Sequence, residues 1–142
     1  AHMCRAKVAI HKADARGLVD EVHSLSMNFG ARSPGILPDI TLAEGDTIGD
    51  FIVLHTPGHT PGCICLYAER DRLLFSGDTV FADGYFGRYD FSGGSRADLA
   101  RSLARLSALD VEGLFAGHGE PTEENGSRSI AAAVGLMKSG YG

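Results

Sequence analysis

Residues 51–62 read FIVLHTPGHTPG, an apolar run followed by an octapeptide rich in turn-forming residues. Phe51–Leu54 is typical of a buried strand. Residues 55–62 contain two prolines and two glycines, which fix an irregular backbone path after that strand. Such a path holds one imidazole still, that of His59. The stretch therefore predicts a strand that delivers a histidine to the edge of a sheet.

Two later stretches follow the same plan. Asp78 comes after Leu74-Phe75-Ser76-Gly77, and His118 comes after Leu114-Phe115-Ala116-Gly117. A single histidine beside glycine is more often a turn residue, and an aspartate after Ser-Gly often caps a helix or forms an Asx-turn. The recurrence of three such residues in one context nevertheless favours a metal site. Imidazole nitrogens and a carboxylate suit zinc, and also manganese or ferrous iron.

The rest of the chain predicts an α/β domain with short strands and three helices. Apolar residues at helical spacing, such as Leu99, Leu103 and Leu106, mark the inner faces of the helices. The predicted strands span residues 7–11, 39–42, 51–54, 63–68, 73–75 and 114–116. The predicted helices span residues 13–25, a segment that opens at Ser95, and residues 127–137.

Length and composition restrict the class of protein. The 142 residues, 44% of them hydrophobic, suit one domain, and no apolar run is long enough to span a membrane. A net charge of −5 argues against a nucleic-acid-binding surface. We interpret residues 1–3 as the scar of an expression tag and residues 4–142 as the domain. Three cysteines, an odd number, indicate a reducing, cytoplasmic context without a disulfide framework.

Four phrases of the sequence together resemble a known family. They are HTPGHTPG (55–62), LFSGDTVF (74–81), GRYDFSGGS (87–95) and FAGHGEPT (115–122). They are similar to the later motifs of the metallo-β-lactamase superfamily, above all to its glyoxalase II-like branch of thioester hydrolases. The resemblance covers roughly residues 5–138. It implies that His59 binds one metal ion, that His118 binds a second, and that Asp78 bridges both as the catalytic carboxylate.

The sequence also departs from the family. The family's first motif, His-x-His-x-Asp-His, is expected before residues 7–25 and does not occur in the printed chain. The resemblance thus implies the C-terminal half of an αβ/βα sandwich, in which four of the seven usual ligands are absent. We expect two zinc ions in the intact family site, with iron or manganese as alternatives. In this chain alone we expect an empty site or a single ion, and an inactive protein.

Several functions remain open at this stage. The resemblance implies metal-dependent thioester hydrolysis in an intact parent protein, with Arg88 holding an anionic thioester, although Arg88 could instead form a surface ion pair with Asp90 or Asp83. One alternative is an iron enzyme similar to the persulfide dioxygenases. Another is a non-catalytic half-domain that acts as a folding or association unit. An uncovered apolar sheet face further predicts a homodimer, because the two halves of the family's fold resemble each other.

Overall fold

The computed structural model describes residues 6–20, 24, 30–33 and 35–140. Within these residues it has seven strands: β1 (Ala9–His11), β2 (Ile40–Leu42), β3 (Thr47–Ile48), β4 (Phe51–His55), β5 (Ile64–Ala68), β6 (Leu73–Gly77) and β7 (Gly113–Ala116). The two α-helices described are α1 (Arg96–Leu106) and α2 (Gly126–Lys138). The α/β class and a mixed sheet with flanking helices are confirmed, and only the short strand β3 has no counterpart among the predicted strands.

The direction of the strands in the larger sheet decides where the site forms. The strands pair in the order β3-β4-β5-β6-β7, antiparallel as far as β6, with β7 parallel to β6. Strands β4, β6 and β7 therefore run the same way, and their carboxyl ends meet at one edge. His59, Asp78 and His118 lie in the three loops that leave that edge. A separate parallel pair, β1 and β2, completes the strands of the described residues.

Helix α1 packs on the sheet through the apolar stripe that the sequence predicts. Its residues Leu99, Leu103 and Leu106 are fully buried in the core together with Leu114 of β7. Each such leucine contributes about 1.5–3 kcal/mol by leaving water. The helix begins where expected, because the hydroxyl of Ser95 accepts a hydrogen bond from a first-turn backbone N–H.

Helix α2 packs into the same core. Ile130 and Met137 are buried, as predicted from their spacing. The third buried apolar position is Ala133, whereas Val134, predicted to face inward, is only half-buried.

The predicted helix over residues 13–25 is wrong at its start. A 3₁₀ helix spans Ala15–Leu18 instead, and the side chain of Asp14 makes no capping hydrogen bond to it. Without that cap, and with Gly17 inside the first turn, the start of an α-helix is poorly stabilised. Most of the later part of the prediction, at residues 21–23 and 25, lies outside the described residues.

An aromatic row crosses the sheet on the face opposite the helices. Phe75 of β6 lies between Phe51 of β4 and Phe115 of β7, with ring centroids 5.4 and 5.0 Å away. The Phe75 side chain is still 42% exposed. Phe75 is thus exposed, whereas Phe51 and Phe115 are half-buried. The uncovered apolar face and the homodimer stay predictions.

No helix of the described residues is both long enough and apolar enough to cross a lipid bilayer. Cys63 and Cys65 are free thiols. Cys65 is completely buried, and this burial raises the pKa of its thiol to about 11. A thiol in that state behaves as a small packing group rather than as a ligand.

Candidate metal centre

The structure brings the three predicted ligands together around one carboxylate oxygen. Oδ2 of Asp78 lies 3.5 Å from Nε2 of His59 and 3.4 Å from Nε2 of His118. The side chains of His59 and Asp78 are largely buried, at 22% and 23% exposed, whereas that of His118 is 77% exposed. One histidine is therefore held inside the loop cluster and the other reaches it from the solvent side.

Two glycines allow the backbone to close around Asp78. A Cβ on Gly87 would stand 2.0 Å from the carbonyl oxygen of Asp78, and the Gly87 N–H donates a 3.0 Å hydrogen bond to that oxygen. On the other side, the Gly117 N–H donates to the Gly77 carbonyl at 2.8 Å. These contacts fix Asp78 between the loops that follow β6 and β7.

The hydrogen bonds among the described residues leave one carboxylate oxygen of this centre without a partner. Nδ1 of His59 lies 2.5 Å from the carbonyl oxygen of Arg88, so it carries the proton and donates. The other ring nitrogen, Nε2, faces Asp78 Oδ2 at 3.5 Å. The other oxygen of that carboxylate, Oδ1, is buried and has no hydrogen-bond partner among the described residues. A buried carboxylate oxygen that lacks a hydrogen-bond partner suits a bound cation.

The distances between the donor atoms suit a metal ion held by Asp78 and one histidine, rather than one ion held by all three residues. Ligands at about 2.0–2.1 Å in a tetrahedral arrangement stand roughly 3.4 Å apart, close to both His–Asp distances. In the described part of the chain, no three His, Cys, Asp or Glu side chains are arranged to hold one ion. The residues present therefore fit two ion positions that share Asp78, each with two protein donors of the four that zinc prefers.

A buried hydroxyl network supports the strand ends beneath Asp78. The hydroxyl of Thr56, after β4, lies 3.0 Å from that of Thr79, after β6, and 3.3 Å from the sulfur of Cys65. Ser76 donates to the Val80 carbonyl at 2.6 Å. Because Thr56, Thr79 and Ser76 are fully buried, these bonds hold the loops rigidly. Thr79, the residue that follows Asp78, is thereby held to the end of β4.

The loop that carries His59 is held to its neighbours at several points. Nε2 of His55 donates to the Pro61 carbonyl at 2.8 Å, and the hydroxyl of Ser102 in α1 donates to the Pro57 carbonyl at 2.8 Å. Gly58 packs directly on α1, because a Cβ there would stand 2.4 Å from the backbone nitrogen of Leu99. His55 therefore has the structural role that its place at the end of a strand suggests.

The side chain of Arg88 is engaged by two neighbouring residues. Its guanidinium forms a double hydrogen bond with Asp90, at 2.9 and 2.7 Å, and lies 4.3 Å over the ring of Phe91. The surface ion pair between Arg88 and Asp90, which the sequence left open as an alternative, is thus present. The same residue lines a cleft of about 520 Å³ that also contains His59, Asp78 and His118. Its role toward a substrate stays a prediction.

Comparison with known proteins identifies the family. A model of the metallo-beta-lactamase superfamily matches residues 4–118. The chain belongs to this superfamily. The match includes all three residues of the candidate metal centre, and the superfamily is one of metal-binding proteins. The role of each residue as a ligand remains a prediction, because the match does not assign ligands.

Individual members of the superfamily place the chain more finely. An uncharacterized protein of Aquifex aeolicus (strain VF5) is 39% identical over an alignment of 127 residues, and the match covers 85% of this chain and 60% of that protein. A hydroxyacylglutathione hydrolase of Rhizobium meliloti (strain 1021) is 38% identical over an alignment of 97 residues, and the match covers 64% of this chain and 36% of the hydrolase. The chain therefore spans less than two thirds of either relative.

A solved structure of the superfamily agrees with the fold. The crystal structure of TTHA1623 in a di-iron-bound form superposes with a TM-score of 0.74 at 34% identity. The superposition covers 85% of this chain and 61% of TTHA1623. The mixed sheet with its flanking helices therefore matches part of that longer chain.

Two contributors to the centre escaped the sequence analysis. One is the backbone carbonyl of Arg88, which receives the His59 ring. The other is Asp14, whose carboxylate accepts hydrogen bonds from the 55–62 loop. A carbonyl leaves no signature in a sequence, and Asp14 lies 46 positions before its nearest partner in the loop.

Proposed function

We propose that this chain supplies the His59, Asp78 and His118 part of a dinuclear metal centre for hydrolysis of thioesters. The observation that carries the proposal is the single oxygen, Asp78 Oδ2, that contacts both imidazoles. Such an oxygen suits a carboxylate shared by two ions. Two donors for each ion leave positions that ligands from elsewhere in a longer protein, or water, must fill.

The residues of the chain have distinct tasks in this proposal. When bound, the metal ions supply a water acidic enough to attack an acyl carbon near neutral pH. Asp78 would hold the centre together, and the hydrogen bond from the Gly87 N–H to its carbonyl oxygen keeps it in place. The Arg88 carbonyl orients His59 so that Nε2 faces the cleft. Phe81, Phe86 and Phe91 give that cleft apolar walls, which limit the access of bulk water.

The thioester class rests on the relatives and on Arg88. The matched hydrolase acts, by its name, on hydroxyacylglutathione. Arg88 stands at the cleft with its charge balanced by Asp90. An anionic thioester can compete for this exposed guanidinium by displacing Asp90. The partner in this proposal is thus a small anionic thioester. A cytoplasmic location remains a prediction from the cysteine content.

Zinc binding by the chain itself is the first test. We expect Zn²⁺ to bind weakly, leaving well under two ions per chain after dialysis, because each position has two protein donors. Asp78→Asn should abolish binding, whereas Asp71→Asn, in the exposed turn between β5 and β6, should leave it unchanged. Two tightly held ions, or binding that survives Asp78→Asn, would overturn the shared-carboxylate assignment.

The second test concerns the reaction. The coding sequence upstream of Cys4 should be read for an in-frame His-x-His-x-Asp-His, and the extended protein assayed with a hydroxyacyl thioester of glutathione by thiol release. We expect hydrolysis by the extended protein and none by the present chain. An extended protein with full metal and no thioesterase activity would refute the substrate class. If no such motif precedes Cys4, the non-catalytic half-domain becomes the better proposal.

Iron is the second candidate for the metal. The di-iron form of TTHA1623, at 34% identity, is the observation that favours it. The donor set of two imidazoles and a carboxylate accommodates iron as well as zinc. Metal analysis combined with oxygen uptake distinguishes an iron oxygenase, of the persulfide dioxygenase kind, from a hydrolase that contains iron.

A further inference from the structure

The carboxylate of Asp14 lies against the loop that carries His59. Its Oδ2 accepts a hydrogen bond of 2.5 Å from the hydroxyl of Thr60, and its Oδ1 accepts one of 2.8 Å from the N–H of Gly62. One side chain thus holds the residues on both sides of Pro61. Hydrogen bonds to an ionised carboxylate are among the stronger ones in proteins.

The surroundings of this contact show a close fit. A Cβ on Gly62 would stand 2.5 Å from Cγ of Asp14, so the approach requires glycine at position 62. Asp14 itself is fixed by its backbone, which donates to the His11 carbonyl at 3.0 Å and accepts from the Gly17 N–H at 2.9 Å. Its carboxylate makes no capping bond to the adjacent 3₁₀ helix. Both oxygens are instead committed to the loop.

We propose that Asp14 is a positioning residue for His59. Thr60 follows His59 directly, so the bond from Asp14 fixes the backbone on one side of the imidazole while the Arg88 carbonyl fixes the ring. His118 lies on a different loop, after β7, and is 77% exposed. Asp14 therefore acts on one of the two histidines. This inference rests on the proposed function, because it takes His59 as a metal ligand.

The difference between the two histidines makes the inference testable. Long-range ¹H–¹⁵N spectra record the imidazole nitrogens of His59 and His118 separately, in the chain without metal and during a titration with Zn²⁺ alone. In Asp14→Ala we expect the His59 signals to shift or broaden and the His118 signals to stay. We also expect the dissociation constant for Zn²⁺, followed at His59, to rise by about 10-fold.

A matched control separates positioning from general loosening. Asp39 also lies before the main sheet, and its carboxylate accepts a hydrogen bond of 2.8 Å from the backbone N–H of Val8. Asp39→Ala removes a similar bond that does not involve the loop, and should leave both His59 and the zinc affinity unchanged. Asp14→Asn keeps an oxygen for the Gly62 N–H, and should restore part of the effect.

Each outcome of the experiment supports or overturns the inference. It is overturned if Asp14→Ala leaves His59 signals and zinc affinity within about twofold of the unaltered chain. It is equally overturned if His59 and His118 shift alike, or if Asp39→Ala has the same effect. Should Asp14→Ala fail to fold, Asp14→Asn and Thr60→Val carry the same comparison. If the unaltered chain binds no zinc, the proposed function fails, while the metal-free spectra still decide the role of Asp14.

Discussion

Gly117 lies so close to Asp78 that a Cβ at position 117 would stand 2.4 Å from Oδ1 of the carboxylate. The loop after β7 can therefore approach the loop after β6 only because residue 117 has no side chain. This contact keeps His118, the next residue, within reach of Asp78. The geometry of the centre thus depends on a residue that has no side chain with which to bind a metal ion.

Gly117→Ala should displace Asp78 and weaken the fold. Because the methyl group meets a buried carboxylate rather than a flexible side chain, we expect a loss of about 1–3 kcal/mol in the free energy of unfolding, measured with urea. Zinc binding should fall with it. The control is Gly135→Ala in α2, where a Cβ meets open space and should stabilise the helix by about 0.5–1 kcal/mol. Equal stability of the two variants would contradict this role of Gly117.

Asp78→Asn should stabilise the chain while removing its zinc. Oδ1 of Asp78 is buried with no hydrogen-bond partner among the residues that the structure describes, and Oδ2 faces two imidazoles, so the metal-free carboxylate is costly to the fold. An amide can donate where the carboxylate cannot, and we expect the metal-free free energy of unfolding to rise by about 1 kcal/mol. Differential scanning calorimetry with and without Zn²⁺ measures both effects. A large loss of metal-free stability would show that Asp78 is structural.

Acid should destabilise the fold through His11. This side chain is 3% exposed and stacks on His55 with 4.1 Å between ring centroids. Burial, and then the charge of His55, hold the pKa of His11 below its ordinary value of 6.5, although Asp14 and Glu44 act in the opposite direction. The folded chain thus binds fewer protons than the unfolded chain. The contribution of His11 is fully present above pH 6.5 and is lost progressively below it.

Urea denaturation at several pH values measures this effect. We expect the free energy of unfolding to fall from pH 6.5 to about pH 5, and to fall less in His11→Asn. A profile that is flat in this range, or unchanged in His11→Asn, would show that His11 does not control it.

The partly exposed aromatic row on the sheet predicts association of two chains. The aromatic row of Phe51, Phe75 and Phe115 can pack on its own copy across a two-fold axis. We expect light scattering to give twice the 15.0 kDa of one chain at micromolar concentration, and Phe75→Ser to shift the equilibrium toward monomer. Leu37→Ser, at a side chain 76% exposed outside the row, should not. A monomer at that concentration would instead favour cover by another part of a longer protein.

The sequence predicts most of the main sheet and the three central residues because the signals are local. An apolar run of four or five residues, followed by proline and glycine, marks a strand end wherever it occurs, as at His59. The features that the sequence fails to predict depend on contacts between distant residues or are too short to carry a pattern. The start of the first helix is lost because the carboxylate of Asp14 binds the loop instead of capping. Strand β3 has two residues, too few to show any periodicity.

The common direction of β4, β6 and β7 has a practical consequence for handling the protein. The turn at residues 69–72 joins β5 to β6 and therefore lies at the opposite edge of the sheet from the three loops. A cysteine introduced for Arg70 would accept a fluorophore or a linker to a solid support at that far edge. The protein would then be immobilised with the His59, Asp78 and His118 loops facing the solution.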